Sequence, residues 1–473
     1  MGKERQYLDF YLQLRDLNRE ASTFRVAVLP SPAVGETREA VTVYYSPDAL
    51  AKSLRRLEYR AIDQDSLIQF GVQLADLLLP LGEIRSLFEQ AVKDAGQDGG
   101  VRLRLLTSEP ELSRLPWEYS YLPLYKGAID YRHFLVLNPQ ISLVRHEPLA
   151  KRHPKVEGAT DNTLRLLVAM ANPKGDLNLE KEKNNLTTVL DGFKVDGVTF
   201  EWQPLLENAT VQDLTSALMK KPELFYFAGH GQFDKEGYIQ LQGATPGSAQ
   251  AMPATQLALR LKQAGVRVAV FGACESAQRD GASEWAGIAP TLVAEGVPVV
   301  VAMQYEILDK HAIAFSEAFY VALAAGLSVD EAVSSGRLAM LGQGVSNQPT
   351  VDEAVSSERL AMPGQEVSNQ RTLVPAGKTD ASQSDKPPAN VQWGVPALYM
   401  RSADSVIFPR KASQPSMVAE QIRRVIQQNI GSIQDGSNFT GLKVTRAKGG
   451  FEFVLNINTI SGSTATGAEF NEL

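Results

Sequence analysis

The stretch Leu224-Phe225-Tyr226-Phe227-Ala228-Gly229-His230-Gly231 decides the fold class of this chain. A short apolar run that ends in glycine is typical of a strand buried on both faces of a parallel sheet. A second such run, residues 266–271, leads into Gly272-Ala273-Cys274. In open α/β sheets, ligands bind outside the carboxyl ends of the strands. Two neighbouring strands of this kind would therefore bring the His230 imidazole and the Cys274 thiol to the same edge of the sheet.

His230 and Cys274 together have the chemistry of a cysteine peptidase. A free thiol has a pKa near 8.5, so little nucleophilic thiolate is present at neutral pH without help. A neighbouring imidazole can take the thiol proton and later return it to the leaving amine. We therefore expect Cys274 to be the nucleophile and His230 the general base and acid. The backbone N–H groups of Gly231 and Cys274 are the candidates for an oxyanion hole, and no metal or other cofactor is expected.

A simpler interpretation of both residues exists. A lone buried cysteine is usually an inert, small apolar side chain, and a lone histidine is usually a hydrogen-bonded polar residue. The composition favours the chemical interpretation, because Cys274 is the only cysteine and the chain has just five histidines. Of these, only His230 ends an apolar run between two glycines.

The residues around both positions resemble a known family. Residues 225–231 and 271–277 are similar to the His and Cys motifs of the CHAT family, caspase-like cysteine peptidases of the clan that also contains caspases and separases. Further segments resemble the family in the same order along the chain: Leu115-Pro116-Trp117-Glu118-Tyr119, Ala171-Asn172-Pro173 with Leu179-Glu180-Lys181-Glu182, and residues 296–304, 315–326 and 393–399. The resemblance covers about residues 20–401.

The resemblance implies an α/β fold with a caspase-like, mostly parallel sheet flanked by helices. It divides the chain into an N-terminal α+β accessory region with a degenerate caspase-like half at 1–155 and the peptidase domain at 156–410. Residues 411–473 lie outside the resemblance. Their helical spacing and one strand-like run indicate a small helix plus a β-rich appendage, either an adaptor that recruits a partner or a solvated tail with one hairpin.

Length and composition agree with this class. A chain of 473 residues should hold two or three domains. A net charge of −7 and a pI near 5.5 argue against a general nucleic-acid binder. A single cysteine excludes an internal disulfide and suits a reducing compartment. No run approaches the length of a membrane span, and the first residues lack the apolar segment of a signal peptide. We therefore expect a cytoplasmic protein.

A tandem repeat follows the predicted peptidase core. Residues 328–348 and 350–370 differ at only four of 21 aligned positions. Two copies are too few for a solenoid. The first copy has the spacing of a helix. The second contains Pro363 and leads into a segment rich in Ser, Asp, Lys and Pro, so we predict a duplicated, mobile surface insert at about residues 345–390. The alternative is an insert whose cleavage regulates the enzyme.

The segment Gln304-Tyr305-Glu306-Ile307-Leu308-Asp309 holds the candidate substrate contacts. It follows the strand after the nucleophile and should leave the sheet at the same edge. In related members of the clan an acidic residue on this loop binds a basic P1 side chain. Asp309 matches the acidic position best, and Glu306 is the rival. Either carboxylate could instead form a surface ion pair or cap the next helix, and Gln304 could line the pocket or simply end its strand.

The resulting hypothesis is a bacterial, cytoplasmic cysteine endopeptidase that cleaves protein or peptide substrates after Arg or Lys. The resemblance further implies regulated proteolysis, such as defence or programmed cell death, with a sensor or adaptor acting through the C-terminal region. One alternative is a non-catalytic scaffold built on the same fold. Another is a small-molecule thiol hydrolase, which would need a closed apolar pocket in place of an open groove along a strand edge.

Overall fold

The computed structural model describes most of the chain. The described residues are 5–124, 131–146, 163–191, 194–195, 198–202, 205–233, 236–245, 247–272, 287–343, 387–402, 406–408, 418–424, 438–447 and 450–458. Cys274 lies outside them. Residues 344–386 also lie outside the described residues. This range contains the second copy of the repeat and most of the predicted insert.

Apolar and alternating runs form the strands of the described residues. They are β1 Tyr7–Asn18, β2 Thr23–Val28, β3 Val41–Tyr44, β4 Gly100–Thr107, β5 Ile141–His146, β6 Thr163–Ala171, β7 Lys194–Val195, β8 Val198–Trp202, β9 Leu224–Gly229, β10 Gly231–Phe233, β11 Gly237–Gln242, β12 Ala249–Pro253, β13 Val268–Gly272, β14 Val299–Met303, β15 Pro396–Met400, β16 Asn438–Ala447 and β17 Gly450–Asn458.

One large sheet contains twelve of these strands, in the order β3-β2-β1-β4-β5-β15-β14-β13-β9-β6-β8-β7. Four neighbouring pairs are antiparallel, namely β3 with β2, β2 with β1, β15 with β14 and β8 with β7. The other neighbours run parallel. The mostly parallel sheet expected from the sequence is thus confirmed. The strands of the N-terminal region continue the same sheet, because β5 pairs with β15.

The described residues also form helices. They are α1 Pro47–Glu58, α2 Gln64–Leu78, α3 Glu83–Ala95, α4 Pro110–Ser113, α5 Leu179–Leu190, α6 Val211–Leu218, α7 Ala254–Ala264, α8 Ile288–Glu295, α9 Asp309–Ala324 and α10 Val329–Gly342. Residues 418–424 are also helical. Outside the large sheet, β10, β11 and β12 form a three-stranded sheet, and β16 pairs with β17.

Alternate side chains of the central strands pack into two separate cores, one on each face of the sheet. On one face, Phe225 and Phe227 of β9 pack with buried residues of α6, α7 and α8. On the other face, Leu224 and Tyr226 pack with buried residues of α5, α9 and α10. Because both faces are covered, β9, β13 and β14 are buried along their whole length.

Helix α10 is the first copy of the repeat and is buried along nearly its whole length. Ser328 and Glu331 form a capping box that starts it. Its charged residues have partners in distant parts of the fold: Asp330 with Arg102 of β4 at 2.7 Å, Glu331 with Arg423 at 3.1 Å, and Arg337 with the carbonyl oxygen of Pro396 at 2.8 Å. The helix therefore joins the N-terminal strands, the helix at residues 418–424 and β15.

The second copy of the repeat could not pack in the position of α10 without a steric clash. A Cβ atom at Gly336 would come within 2.5 Å of the Phe315 ring. The corresponding residue of the second copy is Glu358, and Pro363 stands where the first copy has Leu341 inside the helix. A proline there would remove a helical hydrogen bond. The two copies are therefore not interchangeable, although their sequences are nearly identical.

Candidate active site

The candidate base, His230, lies directly after β9 at the carboxyl edge of the sheet. β9 lies between β13 and β6, and its last residues are paired on both sides: Ala228 with Gly272 of β13, and Gly229 with Ala171 of β6. The carboxyl ends of these three strands therefore coincide. The segments that follow them begin at the same edge.

Two hydrogen bonds fix the position of His230. Its side chain is only 6% exposed, and its Nε2 atom lies 2.7 Å from Oδ1 of Asp176. Its backbone carbonyl accepts a hydrogen bond from the N–H of Gln240 in β11 at 2.9 Å. The ring thus contacts the loop after β6, and the backbone is held by the small three-stranded sheet.

Asp176 belongs to a loop that is folded by its own hydrogen bonds. The Asn172 carbonyl Oδ1 accepts hydrogen bonds from the N–H groups of Gly175 at 3.0 Å and Asp176 at 3.2 Å, and its Nδ2 donates to the carbonyl of Leu177 at 2.9 Å. Gly175 has a φ of +74°, which favours glycine. Sequence reasoning missed Asp176. The signal that could have found it is the turn-forming run Asn172-Pro173-Lys174-Gly175-Asp176 directly after a buried strand.

The candidate nucleophile, Cys274, lies outside the described residues, but the strand that precedes it in the sequence, β13, lies within them. β13 ends at Gly272, which is paired with Ala228. His230 follows Ala228 by two positions, and Cys274 follows Gly272 by two positions. The two candidate residues therefore come after equivalent points of neighbouring parallel strands.

A hydrogen-bonded pair of a buried tyrosine and a partly buried carboxylate lies against the end of β13. The Tyr226 hydroxyl donates a hydrogen bond to Oε1 of Glu182 in α5. A Cβ atom at Gly272 would lie 2.3 Å from that hydroxyl, so any larger residue at this position would displace the Tyr226 side chain. Burial raises the pKa of Glu182, and the hydrogen bond from Tyr226 opposes that rise.

The proposed oxyanion residue Gly231 is the first residue of β10, where it pairs with Ile239 of β11. It is buried and directly follows His230. The second proposed donor, the N–H of Cys274, lies outside the described residues.

The candidate substrate segment leaves the sheet at the same edge. β14 is the neighbour of β13, with Ala302 opposite Phe271, and Gln304 is the first residue after β14. The Gln304 side chain points into a polar network. Its Nε2 donates to Glu118 at 2.9 Å, and its Oε1 accepts from Arg145 at 2.8 Å. Its amide is thus already engaged within the protein.

The two candidate acidic residues both form ion pairs. Glu306 lies 3.7 Å from Arg60. Asp309 is the first residue of α9, where a carboxylate interacts favourably with the helix dipole. Its Oδ2 atom is 2.5 Å from Nζ of Lys181 in α5, and Asn185 of the same helix donates to its Oδ1 at 3.4 Å. Lys181 and Asp309 are each about one-third exposed, at 31% and 33%.

A second histidine, His311, lies in α9 close to this segment. His311 is buried in α9, and neither of its ring nitrogens has a hydrogen-bond partner among the described residues. Burial, together with the positive charges of Lys310 and Arg60, lowers the pKa of His311 to about 3. His311 therefore stays neutral at physiological pH.

Within the part of the chain that the structure describes, no group of three or more His, Cys, Asp and Glu residues could hold a metal ion. No single helix in that part is long and apolar enough to cross a membrane. Helices α2 and α3 reach the required length and apolar composition only when they are taken together, and the two helices meet at a bend of 103°.

One family model and several solved structures are similar to this chain. A family model, the CHAT domain, matches residues 69–392. No curated protein sequence matches the chain at a significant level. The structure of the Arg-specific cysteine proteinase gingipain R is similar with a TM-score of 0.32 at 10% identity, over 75% of this chain and 69% of that one.

Two structures of the separase–securin complex of Saccharomyces cerevisiae are also similar. One has a TM-score of 0.37 at 13% identity, over 70% of this chain and 29% of the matched chain. The other has a TM-score of 0.28 at 17% identity, over 66% and 20%. This chain thus spans less than a third of the matched chain in either complex. Since the family model covers well over half of the 473 residues, the protein belongs to the CHAT-domain family.

Proposed function

We propose that this protein is a cysteine endopeptidase in which His230 and Cys274 form the catalytic pair. The family assignment supports a cysteine peptidase-like function in general. The observation that carries the specific proposal is the register of β9 and β13. Paired residues Ala228 and Gly272 precede His230 and Cys274 by the same number of positions.

The proposed reaction follows the usual steps of acyl transfer. The His230 imidazole takes the proton of the Cys274 thiol, and the thiolate attacks the scissile carbonyl carbon. The N–H groups of Gly231 and Cys274 stabilise the negative charge on the carbonyl oxygen. His230 then gives its proton to the leaving amine. Water, deprotonated by the same imidazole, hydrolyses the thioester and regenerates the thiol.

We propose that substrates carry Arg or Lys at P1 and that Asp309 is the residue that recognises them. Support comes from the position of Asp309 after β14, at the sheet edge that also carries His230. Its carboxylate already binds an ammonium group, that of Lys181. A basic P1 side chain would have to exchange with Lys181, and the partial exposure of both partners makes this exchange accessible. Glu306, paired with Arg60, remains the alternative acidic contact. Gln304 would hold the segment in position through its hydrogen bonds with Glu118 and Arg145.

The wider setting is part of the same proposal. A single cysteine suits a reducing, cytoplasmic compartment. Regulated proteolysis, in defence or programmed cell death, would require a sensor or adaptor, and the C-terminal region is the proposed contact. Its helix at residues 418–424 reaches the buried helix α10 through the Arg423–Glu331 pair, which supports a route from a bound partner to the core.

A peptide-library digest tests the proposal directly. Wild-type protein and Cys274→Ala are incubated with the same library, and the products are identified by mass spectrometry. We expect cleavage after Arg and Lys by the wild type and none by the variant. Equal cleavage by both proteins would end the proposal. Cleavage that depends on Cys274 but follows other residues would remove only the P1 assignment.

A further inference from the structure

We propose that Asp176 is a positioning residue that holds His230 in one tautomer and orientation. This inference rests on the proposed function, because it assigns the role of a third residue in the His230–Cys274 pair. It starts from the 2.7 Å contact between Asp176 Oδ1 and His230 Nε2.

The chemistry of the contact decides which nitrogen carries the proton. An ionised carboxylate can only accept hydrogen bonds, so a neutral imidazole must donate to it from Nε2. The other nitrogen, Nδ1, is then unprotonated and can accept the proton of a thiol. When the imidazole becomes an imidazolium during the reaction, the same carboxylate stabilises its positive charge.

The loop that carries Asp176 is built to hold this carboxylate without help from substrate. Asn172 closes the turn with three hydrogen bonds, and Gly175 supplies the left-handed conformation. Immediately afterwards, the Asn178 side chain accepts a hydrogen bond from the N–H of Lys181 and caps α5. Asp176 is therefore fixed between the end of β6 and the start of a helix.

The strand register explains why this loop meets His230. β6 and β9 are parallel neighbours, and Ala171 is paired with Gly229. Asn172 and His230 are thus the first residues after this pair, at the ends of neighbouring strands. The turn at residues 172–176 then places Asp176 beside the His230 ring. The same segment continues to Lys181, the partner of Asp309. One short stretch of chain thereby contacts both the proposed base and the proposed P1 acid.

The expected effect is moderate because Asp176 is 46% exposed. Water can partly replace a carboxylate at such a site, so the loss should be smaller than the roughly 10⁴-fold fall in kcat seen when a buried triad aspartate becomes asparagine. We expect Asp176→Asn to lower kcat by roughly 10–100-fold, similar to the range found when the hydrogen-bond partner of a metal-bound histidine is removed. KM should change little, because Asp176 is not a proposed substrate contact.

The decisive experiment reads the tautomer and does not require activity. The full chain is labelled with ¹⁵N-imidazole histidine, and the His230 signals are assigned by their absence in His230→Ala, which is practical with five histidines. The wild type should show the Nε2–H form of neutral His230. Asp176→Asn should show a mixture or the Nδ1–H form, since an amide can donate as well as accept. Asp176→Glu, which keeps the carboxylate, should retain the Nε2–H form.

A neighbouring glutamate supplies the matched control. Glu180→Gln makes the same acid-to-amide change at a 72% exposed side chain, beside Lys183 and four positions from Asp176. It should alter neither the tautomer nor kcat. An Nδ1–H form in the wild type, or an unchanged tautomer in Asp176→Asn, would overturn the inference. A confirmed tautomer together with equal cleavage by wild type and Cys274→Ala would instead leave the inference standing and remove the proposed function.

Discussion

Ion pairs at the junction of β5 and β15, called the seam here, and ion pairs at the carboxyl edge of the sheet differ in their access to water. At the seam between β5 and β15, Glu118 accepts two hydrogen bonds from Arg145, and the two side chains are 0% and 7% exposed. At the edge, Lys181 and Asp309 are about one-third exposed. Breaking the first pair leaves a charge without solvent, whereas either partner of the second can find water or a new ligand.

This difference separates structural from functional charges. Burial alone would lower the pKa of Arg145, but the combined interactions with Glu118, Tyr399 and Tyr305 outweigh that effect and raise it, so the arginine stays charged inside the protein. Arg145 also donates to the carbonyl oxygens of Ser113 and Leu115. The buried network holds the N-terminal strands and Gln304 in place, and the edge is left free for exchangeable contacts.

The largest effect on stability is expected at the seam. Glu118→Ala should lower the free energy of unfolding by about 3–5 kcal/mol, because it leaves the Arg145 charge buried without its partner. The measurement is urea unfolding followed by circular dichroism. The matched control is Glu111→Ala, which breaks an exposed pair with Arg19 (37% and 66% exposed) and should cost at most about 1 kcal/mol. Equal losses for the two variants would show that burial does not distinguish these pairs.

This seam also marks the limit of sequence reasoning. The spacing of Val101 to Leu106 predicts a strand, and β4 confirms it. The sequence could not show that its two arginines are buried, because Arg102 is neutralised by Asp330, more than 200 positions away, and Arg104 by Asp9. The sequence does not predict strand β1. Polar residues interrupt its alternating pattern, although apolar members such as Phe10 and Leu12 are buried in a core.

At the site, the local sequence predicts the strands that lead to both candidate residues, and β9 and β13 confirm those strands. The roles of His230 and Cys274 stay predictions. The local sequence does not reveal Asp176 or Lys181. Asp176 contacts His230, which lies 54 positions further along the chain. Lys181 contacts Asp309, which is even more distant in sequence. Both contacts depend on the register of β6 against β9 and on the packing of α5 against α9. Neither is visible in a local window of sequence.

An intermediate effect is expected at Tyr226, which is buried beneath the edge but hydrogen-bonded to Glu182. Tyr226→Phe should cost about 1–3 kcal/mol at neutral pH, since the Glu182 carboxylate loses a buried donor. The control is Tyr320→Phe on the same side of the sheet. The Tyr320 hydroxyl is buried with no hydrogen-bond partner among the described residues, so its removal should be neutral or slightly stabilising.

The pH dependence of the Tyr226 variant sharpens this test. Because burial raises the pKa of Glu182, the folded state holds that proton more tightly than the unfolded chain. Its contribution to stability is therefore complete below the ordinary carboxyl pKa and is lost as pH rises through the raised value. The Tyr226 hydrogen bond favours the ionised form, so the cost of Tyr226→Phe should be smaller at pH 4 than at pH 7. A cost that does not change with pH would contradict the assignment.

The smallest effect on stability is expected for the Lys181–Asp309 pair at the carboxyl edge of the sheet. A substitution there also tests the proposed function. Lys181→Met should change the free energy of unfolding by less than about 1 kcal/mol. Because it removes the internal competitor for Asp309, it should lower KM for peptides with Arg at P1 by up to about fivefold, the equivalent of roughly 1 kcal/mol. Lys183→Met, on the same helix but paired with Glu207, should leave KM unchanged. An unaltered KM in Lys181→Met would argue against Asp309 as the P1 contact.

The most direct test of the central claim is the alkylation rate of the single cysteine, which needs neither substrate nor an activating signal. Intact-mass spectrometry follows the reaction of Cys274 with iodoacetamide at pH 6.5 in the wild type and in His230→Ala, with denatured samples as the common reference. An imidazole that takes the thiol proton raises the thiolate fraction, and the partly offsetting loss of nucleophilicity leaves an advantage of about tenfold. We predict that the folded wild type reacts about tenfold faster than His230→Ala. Equal rates in the two folded proteins would contradict the pairing of His230 with Cys274.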